Sequence, residues 1–255
     1  MKIGICGGAE VLPYAAKCGF EYIEPAATVM RGRGDEELAA FRRQAEDAGL
    51  TVRATNGFFP GDMKLYETTD AELLSYAVRN YETANILGAK IMVVGSGAAR
   101  SVPAGMERGE AYERLLHIID VIGKRAEEYG VTLAMEPLRY AETNMINTLA
   151  ECIGFCREIN RKNVLCLLDL FHFYSNGEDL SDLGLLKAGE LCHVHVARPD
   201  PDRRYPQKTD LPVLKAWAEK LKSIGYSGGI SLECVRGAEF PDNAAEAGVN
   251  LRVFK

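Results

Sequence analysis

The sequence lacks any apolar run of about 18 residues, the length a membrane-crossing helix needs. It opens MKIGICGG with no visible charged-then-apolar leader, so a cytoplasmic protein without a membrane segment is expected. It also lacks an excess of positive charge. A net charge of −6 and a pI near 5.4 weigh against a partner dominated by nucleic-acid phosphates. No CxxC pair occurs. The seven cysteines, Cys6, Cys18, Cys152, Cys156, Cys166, Cys192 and Cys234, are scattered, and reduced, mostly buried thiols are expected. Cys152 and Cys156 share a helix face, but without nearby histidines a zinc role for them is disfavoured. No linker, low-complexity tract or charge block divides the chain, so residues 1–255 are read as one domain.

What the sequence does have is alternation. Strand-like runs are expected at 2–6, 21–25, 51–56, 89–96, 131–136, 163–169, 191–196 and 228–233. Helices are expected around 9–19, 35–49, 69–88, 109–130, 147–160, 178–189 and 210–225, with a short last one after Pro241. Eight strand–helix units in 255 residues match a (β/α)8 TIM barrel. A doubly wound open sheet is the alternative. It would normally carry a G-x-G-x-x-G turn after the first strand, and ICGGAEV lacks it.

The last four strand-like runs, VTLAME, NVLCLLD, LCHVHV and GGISLE, carry Glu136, Asp169, His195 and Glu233 at or near their C-terminal ends. In a parallel barrel those ends share one rim, where active sites lie. Three carboxylates and an imidazole there would repel one another unless a cation compensates, and such an oxygen-rich set suits Mn²⁺, Mg²⁺ or Co²⁺. Taken singly, each carboxylate reads as a helix cap or a solvated group. Together, on one rim, they point to one divalent metal site.

Rim residues from the first half would shape the pocket. Asn56 is placed to bond a substrate hydroxyl. Glu24 ends the second strand and reads as a substrate contact or a helix cap. Phe58 and Phe59 read as pocket wall, as exposed oligomer contacts or as core packing. The loop GSGAARSVPAG (95–105), with Arg100, reads as an anion cradle or a flexible lid. Trp217 has Leu214 and Leu221 at helical spacing, which indicates packing.

The segments MEPLRYAETNMINT (135–148), LDLFH (168–172), HVH (193–195) and SLE (231–233) resemble the xylose-isomerase-like barrels, closest to the ketose 3-epimerases of tagatose and psicose type. The resemblance spans essentially the whole chain and is most specific in its second half. It implies one bound divalent metal, commonly Mn²⁺, on Glu136, Asp169, His195 and Glu233. It implies that Glu136 and Glu233 move a proton next to a carbonyl through a metal-bound enediolate. It also implies substrate contacts from Glu142, six residues after Glu136, from His172, three after Asp169, and from Arg203 in RRYP. The substrate would be a small sugar or sugar derivative, with homo-oligomers common in the family. The chain departs from the epimerase pattern in its longer stretch VARPDPD after His195 and in its shorter length.

Epimerisation and aldose–ketose isomerisation use the same residues, so the motif leaves both open. An inosose-type dehydratase would use the same metal site. The apurinic-endonuclease branch of the superfamily uses a histidine-rich, multi-zinc site, for which four histidines are too few. A catalytically silent sugar-binding barrel would have no need of a full ligand set.

Overall fold

The computed structural model describes residues 1–198 and 202–255. Its strands are β1 (Lys2–Cys6), β2 (Tyr22–Glu24), β3 (Thr51–Val52), β4 (Ala54–Thr55), β5 (Ile91–Val94), β6 (Thr132–Met135), β7 (Val164–Asp169), β8 (Leu191–Val196) and β9 (Gly229–Leu232). All pair in parallel, in the order β3-β2-β1-β9-β8-β7-β6-β5-β4. The two ends of this order are halves of one stretch, parted only by Arg53. The Arg53 N–H donates to the Ile23 carbonyl on β2, and its own carbonyl accepts from Lys90, just before β5. Residues 51–55 thus close the sheet on itself, and the third expected strand is the seam of a TIM barrel.

The helices are α1 (Leu12–Ala15), α2 (Ala27–Met30), α3 (Asp35–Asp47), α4 (Asp70–Leu87), α5 (Gly97–Arg100), α6 (Arg108–Glu128), α7 (Leu149–Ile159), α8 (Leu170–Ser175), α9 (Leu211–Ser223) and α10 (Phe240–Asn250). The longer ones begin and end where local chemistry dictates. Thr69 and Thr148 form capping boxes with Glu72 and Glu151, and Gly88 ends α4 with φ 86°, where only glycine escapes strain. No helix among the described residues is long and apolar enough to cross a membrane.

Strand alternation sorts the side chains. Ala54, Ile91, Val93, Ala134 and Leu167 form one buried cluster, while their strand neighbours Met92, Val94, Leu133, Met135, Cys166 and Leu168 join the larger core under the helices. Gly4 leaves room for the Tyr22 ring, since a Cβ there would lie 2.2 Å from it. Phe58 and Phe59 are buried beside each other and Tyr76, so they are packing and not pocket wall. Trp217 is also core: it meets Phe173 edge-on at 5.0 Å and donates to the Tyr174 hydroxyl.

Two expected helices differ. Residues 9–19 hold only a 3-10 turn (Ala9–Val11) and the one-turn α1. In place of a helix over 178–189 there is a 3-10 segment, Leu180–Leu185, capped by Asp179. The helix comes earlier, as α8, because the Asp169 carboxylate accepts the Phe171 N–H and turns the strand directly into a helix. Gly184 and Gly189 then weaken any helix further along.

Loop 95–105 contains α5, and Arg100 is spent inside the protein. It is 1% exposed and donates to the carbonyls of Val94 (3.3 Å), Glu136 (2.7 Å) and Ile146 (3.2 Å). Its head is therefore neither an anion cradle nor part of a free lid. It ties the end of β5 to the chain that leaves β6. Burial draws its pKa down to about 10, still protonated at neutral pH. Arg100→Met is expected to remove charged hydrogen bonds from three buried carbonyls, of which those of Val94 and Ile146 keep a backbone N–H partner, and to cost about 3 kcal/mol. Urea denaturation measures this, and a loss inside the ordinary surface-mutation range, about 0.5 kcal/mol, would contradict the pinning role.

Candidate metal centre and active site

The parallel register sets the depth of each site residue. Asp169 is the last residue of β7 and pairs with His195 of β8, which pairs in turn with Ser231 of β9. Glu136 and Glu233 each follow the last residue of their strand. One rim therefore receives all four side chains, and one ligand atom from each lies within 4.8 Å of the others. Glu136, Asp169 and His195 are buried, and Glu233 is partly open to the mouth. Gly95 permits this crowding, because a Cβ there would lie 2.3 Å from Glu136 Oε2.

The His195 ring is the hinge of the arrangement. Its Nδ1 faces Glu233 Oε2 at 2.8 Å and Glu136 Oε1 at 3.3 Å, while its Nε2 faces Glu24 Oε1 at 2.8 Å. Glu24 is fully buried beneath it. Its other oxygen takes His193 Nε2 at 2.8 Å and the Ser231 hydroxyl at 2.6 Å, and Tyr22 continues the chain to Ser231 at 2.9 Å. Glu24 thus caps no helix, and both its carboxylate oxygens are taken by His195, His193 and Ser231. It fixes the imidazole with Nε2–H pointing down and Nδ1 pointing to the mouth, the support that metal-ligating histidines ordinarily have.

Charge follows from this geometry. Burial alone would raise the Glu24 pKa, but His195 and His193 more than offset it and hold the carboxyl far below its usual range. Burial would likewise lower the His195 pKa, yet the charges of Glu24 and Glu233 push it well above the ordinary imidazole value. Burial opposes ionisation of Glu233 too, and the charges of His195 and Arg203 bring it down to about 2.

Arg203 is the second positive group. Its Nη2 lies 2.5 Å from Asp169 Oδ2 and 2.7 Å from Glu233 Oε2, and its guanidinium stacks over Phe171 at 5.0 Å. It adopts φ 49°, uncommon for a residue with a side chain, and its carbonyl accepts from Val235 at 2.7 Å. Of the longer stretch after His195, residues 199–201 lie outside those described. Asn56 donates to Glu233 Oε1 at 3.3 Å, and His172 Nε2 stands 3.5 Å from Asp169 Oδ2. Glu142 pairs with Arg139 at 2.7 Å, and its charge also acts on Arg203.

Beside Glu233, a cavity of about 350 Å³ opens at the mouth, lined by Cys6, Glu24, Asn56, Cys234 and Arg236 among others. That volume falls within the usual range for small-molecule pockets, about 300–1,000 Å³.

Two residues escaped the sequence reading. His193 shares the inner face with His195, which their two-residue spacing in HVH signalled. Arg139 pairs with Glu142, donates its backbone N–H toward His172 Nδ1 and sets its guanidinium over the Phe171 ring at 4.8 Å. Its spacing of three from Glu142 was the available cue.

A model of the family described as xylose isomerase-like TIM barrel matches residues 12–255. The chain is 29% identical to a D-psicose 3-epimerase of Agrobacterium fabrum over 94% of its own length and 82% of the relative's. It is 24% identical to an inosose isomerase of Halalkalibacterium halodurans, over 92% and 86% of the two lengths. Its fold is similar to that of a D-psicose 3-epimerase crystallised with D-fructose (TM-score 0.80, 24% identity, 99% and 96% coverage). It is also similar to the IolI protein crystallised with a zinc atom (TM-score 0.74, 20% identity, 100% and 98% coverage).

Replacing Glu24 by Gln removes the anion that favours the His195 imidazolium, so its pKa must fall. In chelator-treated protein, the His195 ring is expected to stay protonated through neutral pH and to titrate lower in Glu24→Gln. Long-range ¹⁵N–¹H NMR of the ring nitrogens reads this directly, and equal titration in both proteins would rule out the supporting role.

Proposed function

The chain belongs to the xylose isomerase-like TIM barrel family, and from that membership we propose that it is a divalent-metal-dependent epimerase or isomerase of a small sugar. The observation that carries this is the convergence of Glu136, Asp169, His195 and Glu233 ligand atoms within 4.8 Å at the barrel mouth. Three carboxylates and an imidazole nitrogen form a donor set suited to Mn²⁺, Mg²⁺ or Co²⁺, and Mn²⁺ is the first choice. When bound, such an ion supplies a Lewis acid for a sugar carbonyl and its neighbouring hydroxyl.

The residues themselves would divide the proton work. Glu233, paired with Arg203, would be ionised and begin as a base. It takes the proton from the carbon beside the carbonyl, and the bonding pair moves into an enediolate. Glu136 stands three strands away, with β8 and β7 between, and would serve the opposite face of the substrate. Glu136 would enter the cycle carrying a proton from solvent and give it to the same carbon, which inverts it and is epimerisation; Glu233 then releases its proton to solvent and Glu136 takes up another. Return to the neighbouring carbon exchanges ketose for aldose.

Arg203 would bring positive charge to the oxygen on which negative charge grows. Asn56 holds one oxygen of Glu233 and so fixes where the base points. His172, 3.5 Å from Asp169 Oδ2, would contact the substrate beside it. Glu142 would reach substrate hydroxyls from the loop after β6, braced by Arg139.

The inosose isomerase relative supports a second substrate class, a cyclic polyol ketone handled by the same proton transfer. Loss of water from such a ring would make the enzyme a dehydratase instead.

The deciding experiment incubates Mn²⁺-loaded protein with ketoses, aldoses and inososes in D₂O and follows each by NMR. Deuterium is expected at a carbon beside the carbonyl, without loss of water. Dehydrated product and no epimer would refute the proposal in favour of a lyase. Glu136→Gln and Glu233→Gln are each expected to lower kcat by about 10²–10⁴-fold, the usual contribution of a positioned acid or base. Chelation should abolish turnover and added Mn²⁺ restore it, whereas activity that survives exhaustive chelation would exclude metal dependence.

A further inference from the structure

A second group of ligand atoms lies outside the mouth. Cys152 and Cys156 are one helical turn apart on α7, and β7, against which α7 packs, presents Cys166 to them. The three sulfurs lie within 4.8 Å of one another and all three residues are buried. None forms a disulfide. Sulfurs bound to one zinc at about 2.3 Å stand roughly 4 Å apart, so the trio already has the required spacing.

The surroundings fit an ion that binds thiolates. A cavity of about 400 Å³ reaches Cys156 and Cys166 and is also lined by Arg157, Arg161, Lys162 and Glu190. Arg157 pairs with Glu190, and Arg161 with Asp120. Within the trio the thiols act on one another: contact with its neighbours and burial raise the Cys152 and Cys156 thiols well above their ordinary value, and their S–H groups hold the Cys166 thiol below its own. Proton loss therefore falls first on Cys166, and the close approach of the three sulfurs is what fits an ion.

We propose that Cys152, Cys156 and Cys166 form a site for a thiophilic cation such as Zn²⁺ on the outer wall of the barrel, independent of the centre at the mouth. Each thiol loses its proton to solvent as it takes the ion, and water in the cavity completes the coordination. The ion would clamp α7 to β7, the strand that ends in Asp169. A soft, sulfur-rich set selects differently from the oxygen-rich set at the mouth, so one chain could hold two unlike metals.

The test keeps the two sites apart. Reduced, full-length protein is saturated with Mn²⁺ and then titrated anaerobically with Co²⁺. We expect sulfur-to-cobalt charge-transfer absorption that saturates at one equivalent per chain and persists in Glu136→Gln. Cys156→Ser and Cys166→Ser should each weaken it by about ten-fold or more, a scale on which even outer-shell losses act. No such absorption, or absorption unchanged in both cysteine variants, would overturn the site.

Should the variants fold poorly, the wild type decides alone. Zn²⁺ should protect Cys156 and Cys166 from alkylation, mapped by mass spectrometry, and leave Cys18 as reactive as before. Equal alkylation with and without Zn²⁺ overturns the proposal. So does a disulfide within the trio in protein prepared without added oxidant.

Discussion

The arrangement at the mouth depends on one buried carboxylate. Glu24 has no solvent, and an unpaired charge at that depth would be too costly to keep. Its two oxygens are therefore fully engaged, one with His195 and the other with His193 and Ser231. Those partners come from β8 and β9, and Glu24 ends β2. A single ionised group thus joins strands on either side of β1 and fixes the orientation of the histidine on which Glu136 and Glu233 converge.

Positive charge is supplied at two levels. The imidazole of His195 is positioned from below by the barrel, while Arg203 reaches in from a loop above. The loop is held by the Val235 N–H on the Arg203 carbonyl and by the Arg198 N–H on the carbonyl of Arg204. Phe171 gives the guanidinium an aromatic face, and Arg139 uses the same ring. A carboxylate-rich site can then stay compact because rigid and loop-borne cations share the task of balancing it.

Much of this was legible in the chain. The barrel followed from the strand–helix rhythm, and Glu136, Asp169, His195 and Glu233 stood out because strand ends are easy to read and topology gathers them. Contacts set by orientation were not legible. Glu24 is also a strand-end carboxylate, but whether it points to substrate or under a histidine depends on partners 169 to 207 positions away. The helix α8 was hidden because Asp169 serves both as strand end and as helix cap. Arg100 resembled a rim cation, and only the three carbonyls around it show that it is internal. Cys152 and Cys156 were visibly one turn apart, whereas Cys166 joins them only through the packing of α7 on β7.

The cap on α8 constrains its own carboxylate. Asp169 gives Oδ1 to the Phe171 N–H and turns only Oδ2 to the mouth. One side chain thus serves both the start of a helix and the rim, so Oδ2 can turn toward the mouth only as far as the Oδ1 contact that begins α8 allows. A change that loosens the first turn of α8 would be felt at the rim as well, where the same carboxylate meets Arg203 and His172.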